Sequence, residues 1–157
     1  MLDVHIRPLC EEDAKTSYKW RNNQEIWRFT GSRPAGEVTI DDELAWIRRV
    51  IADRTCKRFA IMVDEVYVGN IYLTDIKDGI AEYHLFIGEV DYWGKGIARL
   101  ASEQILVYAR KVLKLHTIEL GVRKENIVAL KLYHSLKFKK YAIRDGLIRM
   151  KLELPNS

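Results

Sequence analysis

The chain has 157 residues, enough for one domain, and its 48% apolar and 31% charged residues are ordinary globular proportions that exclude a disordered or fibrous chain. Lys plus Arg number 26 against 22 Asp plus Glu, a net charge of +4 that favours an anionic partner; it is too scattered for a nucleic-acid surface, so phosphate-bearing small molecules are the better expectation. No apolar run nears the ~18 residues of a membrane span, and Cys10, Cys56, His5, His84, His116 and His134 fall in no disulfide or metal-ligand spacing, so a cytoplasmic protein with no metal is expected.

In chain order, Val4 to Pro8 alternates and stops at proline, as a short strand should. Glu12-Asp13 opens a helix running through Trp20 to about Asn22, and Gly31 to Gly36 reads as a loop. Thr39 or Asp41 can cap a second helix whose inner stripe would be Leu44, Ile47 and Ile51. Arg58 to Val63 and Val66 to Leu73 flank the polar pair Asp64-Glu65 as a hairpin, and Ile80 to Gly88 adds a third strand after Lys77-Asp78-Gly79. From Ile97 a long helix is expected, its inner stripe Ile97, Ala101, Ile105, Tyr108, Ala109 and Val112. Thr117 to Val122 is again a strand, and strand, helix, strand implies a parallel pair with a right-handed crossover. Asn126 caps a helix to about Leu136, and Phe138 to Ile143 and Leu147 to Leu154 close the chain around Asp145-Gly146. The expected architecture is α/β (α+β): one domain over residues 1–157, a mixed sheet with helices on both faces.

The informative stretch is Ile87-Gly88-Glu89-Val90-Asp91-Tyr92-Trp93-Gly94-Lys95-Gly96-Ile97-Ala98, where a strand passes through a glycine-rich turn directly into a long helix. Glycine lets successive N–H groups converge, and the helix N-terminus adds about half a positive charge aimed the same way, so the segment suits a phosphate. The bland alternative is a tight turn with no ligand. A Gly-Lys-Ser/Thr loop, or a Gly-x-Gly-x-x-Gly after the first strand, is absent, which disfavours a P-loop ATPase and a Rossmann enzyme.

Trp93-Gly94-Lys95-Gly96-Ile97-Ala98 resembles the Gln/Arg-x-x-Gly-x-Gly/Ala loop of the GNAT N-acetyltransferase superfamily, in particular its branch of ribosomal-protein, spermidine and amino-sugar acetyltransferases, with Trp93 in place of Gln or Arg. A second block, Asn126 through Ala129, Leu132 and Tyr133 to Phe138, resembles that family's Asn-x-x-Ala-x-x-Leu-Tyr-x-x-x-Gly-Phe; Lys137 stands where glycine is usual, and a different closure of that helix is expected. The resemblance covers nearly the whole chain. It implies a mostly antiparallel sheet of about seven strands with one splayed parallel pair. It also implies acetyl-CoA as co-substrate, its pyrophosphate on Trp93 to Ala98 and its pantetheine between Leu85, Phe86 and Ile87 on one side and Val122 and Asn126 on the other.

Acetyl transfer from a thioester needs an uncharged amine, and a primary alkylamine of pKa ~10.4 is neutral about once in a few thousand molecules at pH 7. A base is therefore required. Glu82 matches a glutamate common in the branch and could accept the proton directly or through water; His84, two residues on and so on the same strand face, is the relay or the base itself. Tyr133 lies on the Asn126 face of its helix and matches the family's general acid, while Ala129, Leu132, Tyr133 and Leu136 also read as a buried stripe. By analogy, a main-chain N–H of Leu85 to Ile87 would hold the oxyanion.

The acceptor pocket is expected from the first two helices and their connection. Arg21, Asn22 and Arg28 would suit an anionic acceptor such as a nucleotide-linked amino sugar, with Trp27 or Phe29 to stack on it; Asp41, Asp42 and Glu43 would suit a polyamine, though acids at a helix start equally serve the helix dipole. The expected function is acetyl transfer to a small-molecule amine, amino sugar or sugar nucleotide first and polyamine second. A protein or peptide N-terminus, and a non-catalytic acyl-CoA-binding module, are the alternatives. Neither nucleic acid nor membrane is an expected partner, and a homodimer is compatible with the fold.

Overall fold

The computed structural model describes residues 2–24, 26 and 36–155. Strand β1 (Val4–Pro8) leads through a short 3-10 turn into helix α1 (Ala14–Arg21), and helix α2 (Ile40–Ala52) follows. Thr39 caps α2 in a reciprocal box, its side chain accepting from the Asp42 N–H while the Asp42 carboxylate accepts from the Thr39 N–H. Then come β2 (Lys57–Val63), β3 (Val66–Lys77), β4 (Ile80–Ile87), helix α3 (Ile97–Lys111), β5 (Thr117–Arg123), helix α4 (Ile127–Ser135), β6 (Lys139–Arg144) and β7 (Leu147–Glu153). The β2–β3 and β6–β7 turns each place two residues at positive φ, Asp64 and Glu65 in the first and Asp145 and Gly146 in the second, the backbone that lets a two-residue connection follow the strand twist.

The seven strands form one sheet in the order β1-β2-β3-β4-β5-β7-β6, antiparallel except for β4 and β5. Period-two alternation divides its side chains between two cores. Ile61, Leu73, Ala81, Ile118 and Leu120 pack beneath α3 and α4; Ala60, Met62 and Tyr67 pack beneath α1 and α2 with Trp20 and Ile47. Complete burial of a side chain such as Ile105 or Ile47 is worth roughly 1.5–3 kcal/mol. Among the described residues no helix is long and apolar enough to cross a membrane.

Two expected core positions are not in the core. Ile51 is 45% and Val112 61% exposed. The fully buried positions of α2 are Glu43 and Ile47, so the next inward place falls near the half-buried Val50 and Ile51 has turned out. Helix α3 ends at Lys111, and Leu115 beyond it re-enters the core instead of Val112.

At the end of α4, Lys137 does not change the closure. It takes the left-handed conformation usual for glycine (φ 78°). Its N–H donates to the His134 carbonyl, and the Phe138 N–H donates to the Tyr133 carbonyl, the paired closure of a Schellman motif, with Phe138 against Tyr133.

Candidate active site

The site starts where β4 becomes α3. The N–H groups of Gly88 and Glu89 both donate to the Val68 carbonyl and end the strand. Gly88 is required sterically: a Cβ there would lie 2.0 Å from the Trp20 ring, whose Nε1–H donates to Glu89 and ties α1 to the turn. Farther on, Gly94 and Gly96 sit at φ of +75° and +78°, and a Cβ on either would meet nothing within 4 Å. Their need for glycine is thus conformational, and the space over them is open. Gly96 caps α3 without a side-chain acceptor, and no acidic residue stands in the first turn, so a 15-residue helix presents its N–H groups and positive dipole end to that space. A diphosphate fits such a concavity. Lys95 is exposed beside it, and Trp93 uses its indole N–H on the Ile87 carbonyl at 2.9 Å, bracing the turn against β4.

Strands β4 and β5 pair only at Ile80↔Thr117, Ala81↔Ile118 and Glu82↔Glu119, then run on to Ile87 and Arg123 without pairing. They part. Since Gly88 bonds to β3, alternation along β4 turns the main-chain groups of Leu85 and Ile87 away from β3 and into the gap, where Trp93 already occupies the Ile87 carbonyl. The opposite wall is Gly121 to Arg123, and Asn126 follows with its side chain accepting from the Ala129 N–H to cap α4. A cavity of about 440 Å³ runs through the gap, within the range of small-ligand sites. It joins the two faces of the sheet, reaching Tyr83 and Tyr133 on the α3/α4 side and Glu82, His84 and Phe86 on the α1/α2 side.

Tyr133 is 8% exposed and packs edge-on to Tyr83. Its hydroxyl lines the cavity side of α4 and, among the described residues, takes part in no hydrogen bond; burial pushes its pKa up to about 12, which keeps the proton on oxygen. His84 stacks on Tyr72 with ring centroids 4.9 Å apart, and its Nε2 is 2.9 Å from Thr74 Oγ1. Burial, aided by the Arg58 and Arg149 charges and opposed by Glu82, holds the imidazole below its ordinary pKa, favouring the neutral form that can accept a proton. Glu82 is not a free carboxylate: Arg149 on β7 pairs with it at 2.5 Å and reaches Glu119 at 3.5 Å, while the Tyr141 hydroxyl donates to Glu119.

Of the expected acceptor residues, Arg21 lines the cavity but is committed to the buried Glu43 (2.6 Å) and lies over the Trp46 ring. The Asn22 side chain is spent on the Val38 main chain, which it bonds as donor and as acceptor, and it does not line the cavity. Trp27, Arg28, Phe29 and most of the Gly31–Gly36 loop lie outside the described residues. Phe86 turns its ring to Trp20. Arg58, Trp46 and Arg149 are site residues that the motifs do not reveal. The available signal for Arg58 was its period: it shares a strand face with Ala60 and Met62, so a cation stood on an inward-facing apolar register. Among the described residues no group of His, Cys, Asp and Glu could hold a metal ion.

The site thus sets a parted parallel pair beside an uncapped helix N-terminus, with a buried phenol on one face of the sheet and an imidazole held below its ordinary pKa on the other. Residues 3–139 match the acetyltransferase (GNAT) domain, and the chain belongs to that family. It is 30% identical over 134 residues to the acetyltransferase PseH of Campylobacter jejuni (85% of this chain, 81% of that one) and 30% identical over 137 residues to the spermidine N(1)-acetyltransferase of Escherichia coli (86% and 72%). The crystal structure of spermidine N-acetyltransferase from Vibrio cholerae in complex with CoA and spermine has the same fold, with a TM-score of 0.86 over 96% of this chain and 95% of that one at 24% identity. The protein is an acetyl-CoA-dependent N-acetyltransferase, with acetyl-CoA as co-substrate.

Proposed function

We propose that this enzyme acetylates the primary amine of a small molecule, an amino sugar or sugar nucleotide before a polyamine, that Tyr133 and His84 carry the proton transfers, and that Glu82 supports the charge on His84. Bound acetyl-CoA supplies the activated acetyl group. Main-chain amides from Trp93 to Ala98 would hold its diphosphate, and Leu85, Phe86, Ile87 and Asn126 would border its thiol-bearing arm. The acceptor enters from the α1/α2 face. His84, kept neutral by burial, accepts the ammonium proton directly or through water, and the Glu82–Arg149 pair beside it fixes the charge the resulting imidazolium meets. As the nitrogen attacked the carbonyl carbon and the carbon–sulfur bond broke, a main-chain N–H of the Leu85 to Ile87 segment would donate to the developing oxyanion, Tyr133 would give its proton to the leaving sulfur, and the second proton shed by the nitrogen as the amide forms would return the phenol to its neutral state through water.

The observation that carries this reading is Tyr133, a buried side chain on the same cavity as His84 and Glu82, whose hydroxyl has no protein partner among the described residues. Its test is Tyr133→Phe, which keeps the packing against Tyr83 and Phe138 and removes only the hydroxyl. CoA-thiol release in an amine screen should fall about 100-fold in kcat with CoA affinity unchanged; undiminished turnover would take Tyr133 out of the chemistry. The similarity to a spermidine acetyltransferase keeps a polyamine as the second reading of the acceptor.

A further inference from the structure

The α1/α2 side of the cavity contains a ladder of alternating cations and rings. The Arg21 guanidinium lies 4.1 Å from the Trp46 centroid, that of Arg58 lies 5.0 Å from Trp46 and 4.2 Å from Tyr72, and Tyr72 stacks on His84. The charges along it are not equivalent. Arg21 is committed to Glu43, which also accepts from the Ser17 hydroxyl, and Glu82 is committed to Arg149. Arg58 has no ion-pair partner among the described residues, and its buried Nε has no hydrogen-bond partner. A guanidinium held against two rings has its flat faces covered and keeps its rim of N–H donors for a ligand, a fixed fork matched to an oxyanion.

We propose that Arg58 is the specificity residue of the acceptor pocket and that the acceptor is an amine carrying an oxyanion, a phosphate ester or a carboxylate, which Arg58 binds one aromatic ring away from His84. The inference rests on the acetyltransfer reading of the site and names its substrate class. Among the described lining residues the cavity sets three arginines, Arg21, Arg58 and Arg123, against the single carboxylate Glu82, and both acids near the acceptor, Glu43 and Glu82, already hold an arginine. Among the described lining residues a polycation would meet like charge and no uncommitted acid, whereas an anion would meet in Arg58 a cavity-lining guanidinium that has no ion-pair partner among them. Trp46 and Tyr72 hold the guanidinium in place.

The test uses the full chain saturated with CoA, so that the phosphate cradle is filled, and titrates matched probes by calorimetry: glucosamine, glucosamine 6-phosphate, muramic acid and spermidine. Glucosamine 6-phosphate or muramic acid should bind at least tenfold tighter than glucosamine, and which of the two does so separates a phosphate from a carboxylate acceptor. Arg58→Met, which keeps the stem between the rings, should abolish that preference while leaving glucosamine unchanged, and Arg58→Lys should restore part of it. CoA affinity serves as the folding control, and Arg58→Lys decides the matter if the methionine variant does not fold. Equal binding of the charged and uncharged members, including no detectable binding of either, tighter binding of spermidine, or an unaltered preference in Arg58→Met overturns the proposal. A parallel thiol-release assay distinguishes this failure from that of the underlying reading: transfer to spermidine alone sinks the oxyanion, whereas no thiol release with any amine sinks the acetyltransfer itself.

Discussion

The cradle over Gly94 and Gly96, proposed to hold the co-substrate, and the cavity beneath α1 and α2, proposed to hold the acceptor, are built by opposite means. The cradle is made of main chain, contiguous in sequence, exposed and carried by one helix end. The cavity is made of side chains from helices and strands far apart in the chain, its rings and arginines set against one another. A main-chain site depends on φ and tolerates side-chain change, so it can serve a constant co-substrate. A side-chain site depends on identity and can be retuned by single substitutions, which suits the variable half of the reaction.

That contrast can be broken from either side. The largest effect is expected from Gly96→Val, which puts a β-branched residue at a φ of +78°. With the loss of about two charge-assisted hydrogen bonds, CoA should bind about 10³-fold more weakly by calorimetry. On the other side, His84→Gln should lower kcat about 100-fold with CoA affinity intact. The wild-type kcat should fall in acid along a limb centred below the ordinary imidazole value of 6.5, because only the neutral ring accepts a proton, and the variant should lose that limb. A limb that survives in His84→Gln would belong to another group.

Trp93→Gln is a sharper test of the main-chain argument. It exchanges the indole that braces Ile87 for the side chain usual in the family, and CoA affinity should change by less than about threefold, the scale of half a neutral hydrogen bond. A loss approaching that of Gly96→Val would mean that the side chain grips the ligand. The smallest change concerns α4 alone. Lys137→Gly removes the left-handed strain at φ 78°, offset in part by glycine's greater freedom when unfolded, for a net gain of about 0.5 kcal/mol, seen as a rise of about 1–2 °C in melting temperature.

The same contrast governs what could be read from the residues in order. Strands and hairpins were legible because their determinants are local: the polar pair Asp64-Glu65 interrupts two apolar runs, and Asp145-Gly146 favours a tight turn by its own conformational preferences. The glycine-rich turn into α3 was legible for the same reason, as six consecutive residues. Helix periodicity misjudged Ile51 and Val112 because it assigns a face but does not say where a helix ends or which polar side chain, here Glu43, takes an inward place. Arg149 escaped notice because only the β5–β7 pairing, with Gly121 opposite Arg149, brings it beside Glu82. Arg58 required the sheet, α2 and β3 together before its two rings could be seen.

The early separation of β4 from β5 also has a mechanical side. Below Glu82 the seam is riveted: the N–H groups of His116 and Thr117 both donate to the Gly79 carbonyl. Above it, four strands and three strands diverge like the jaws of a clothes-peg whose pivot is the three paired residues from Ile80 to Glu82. Whatever lies along both jaws acts as a splint. Occupancy should therefore stiffen the whole sheet, and the amides of Leu85 and Gly121, which alternation turns into the gap, should be the first to slow in hydrogen exchange when the jaws are filled.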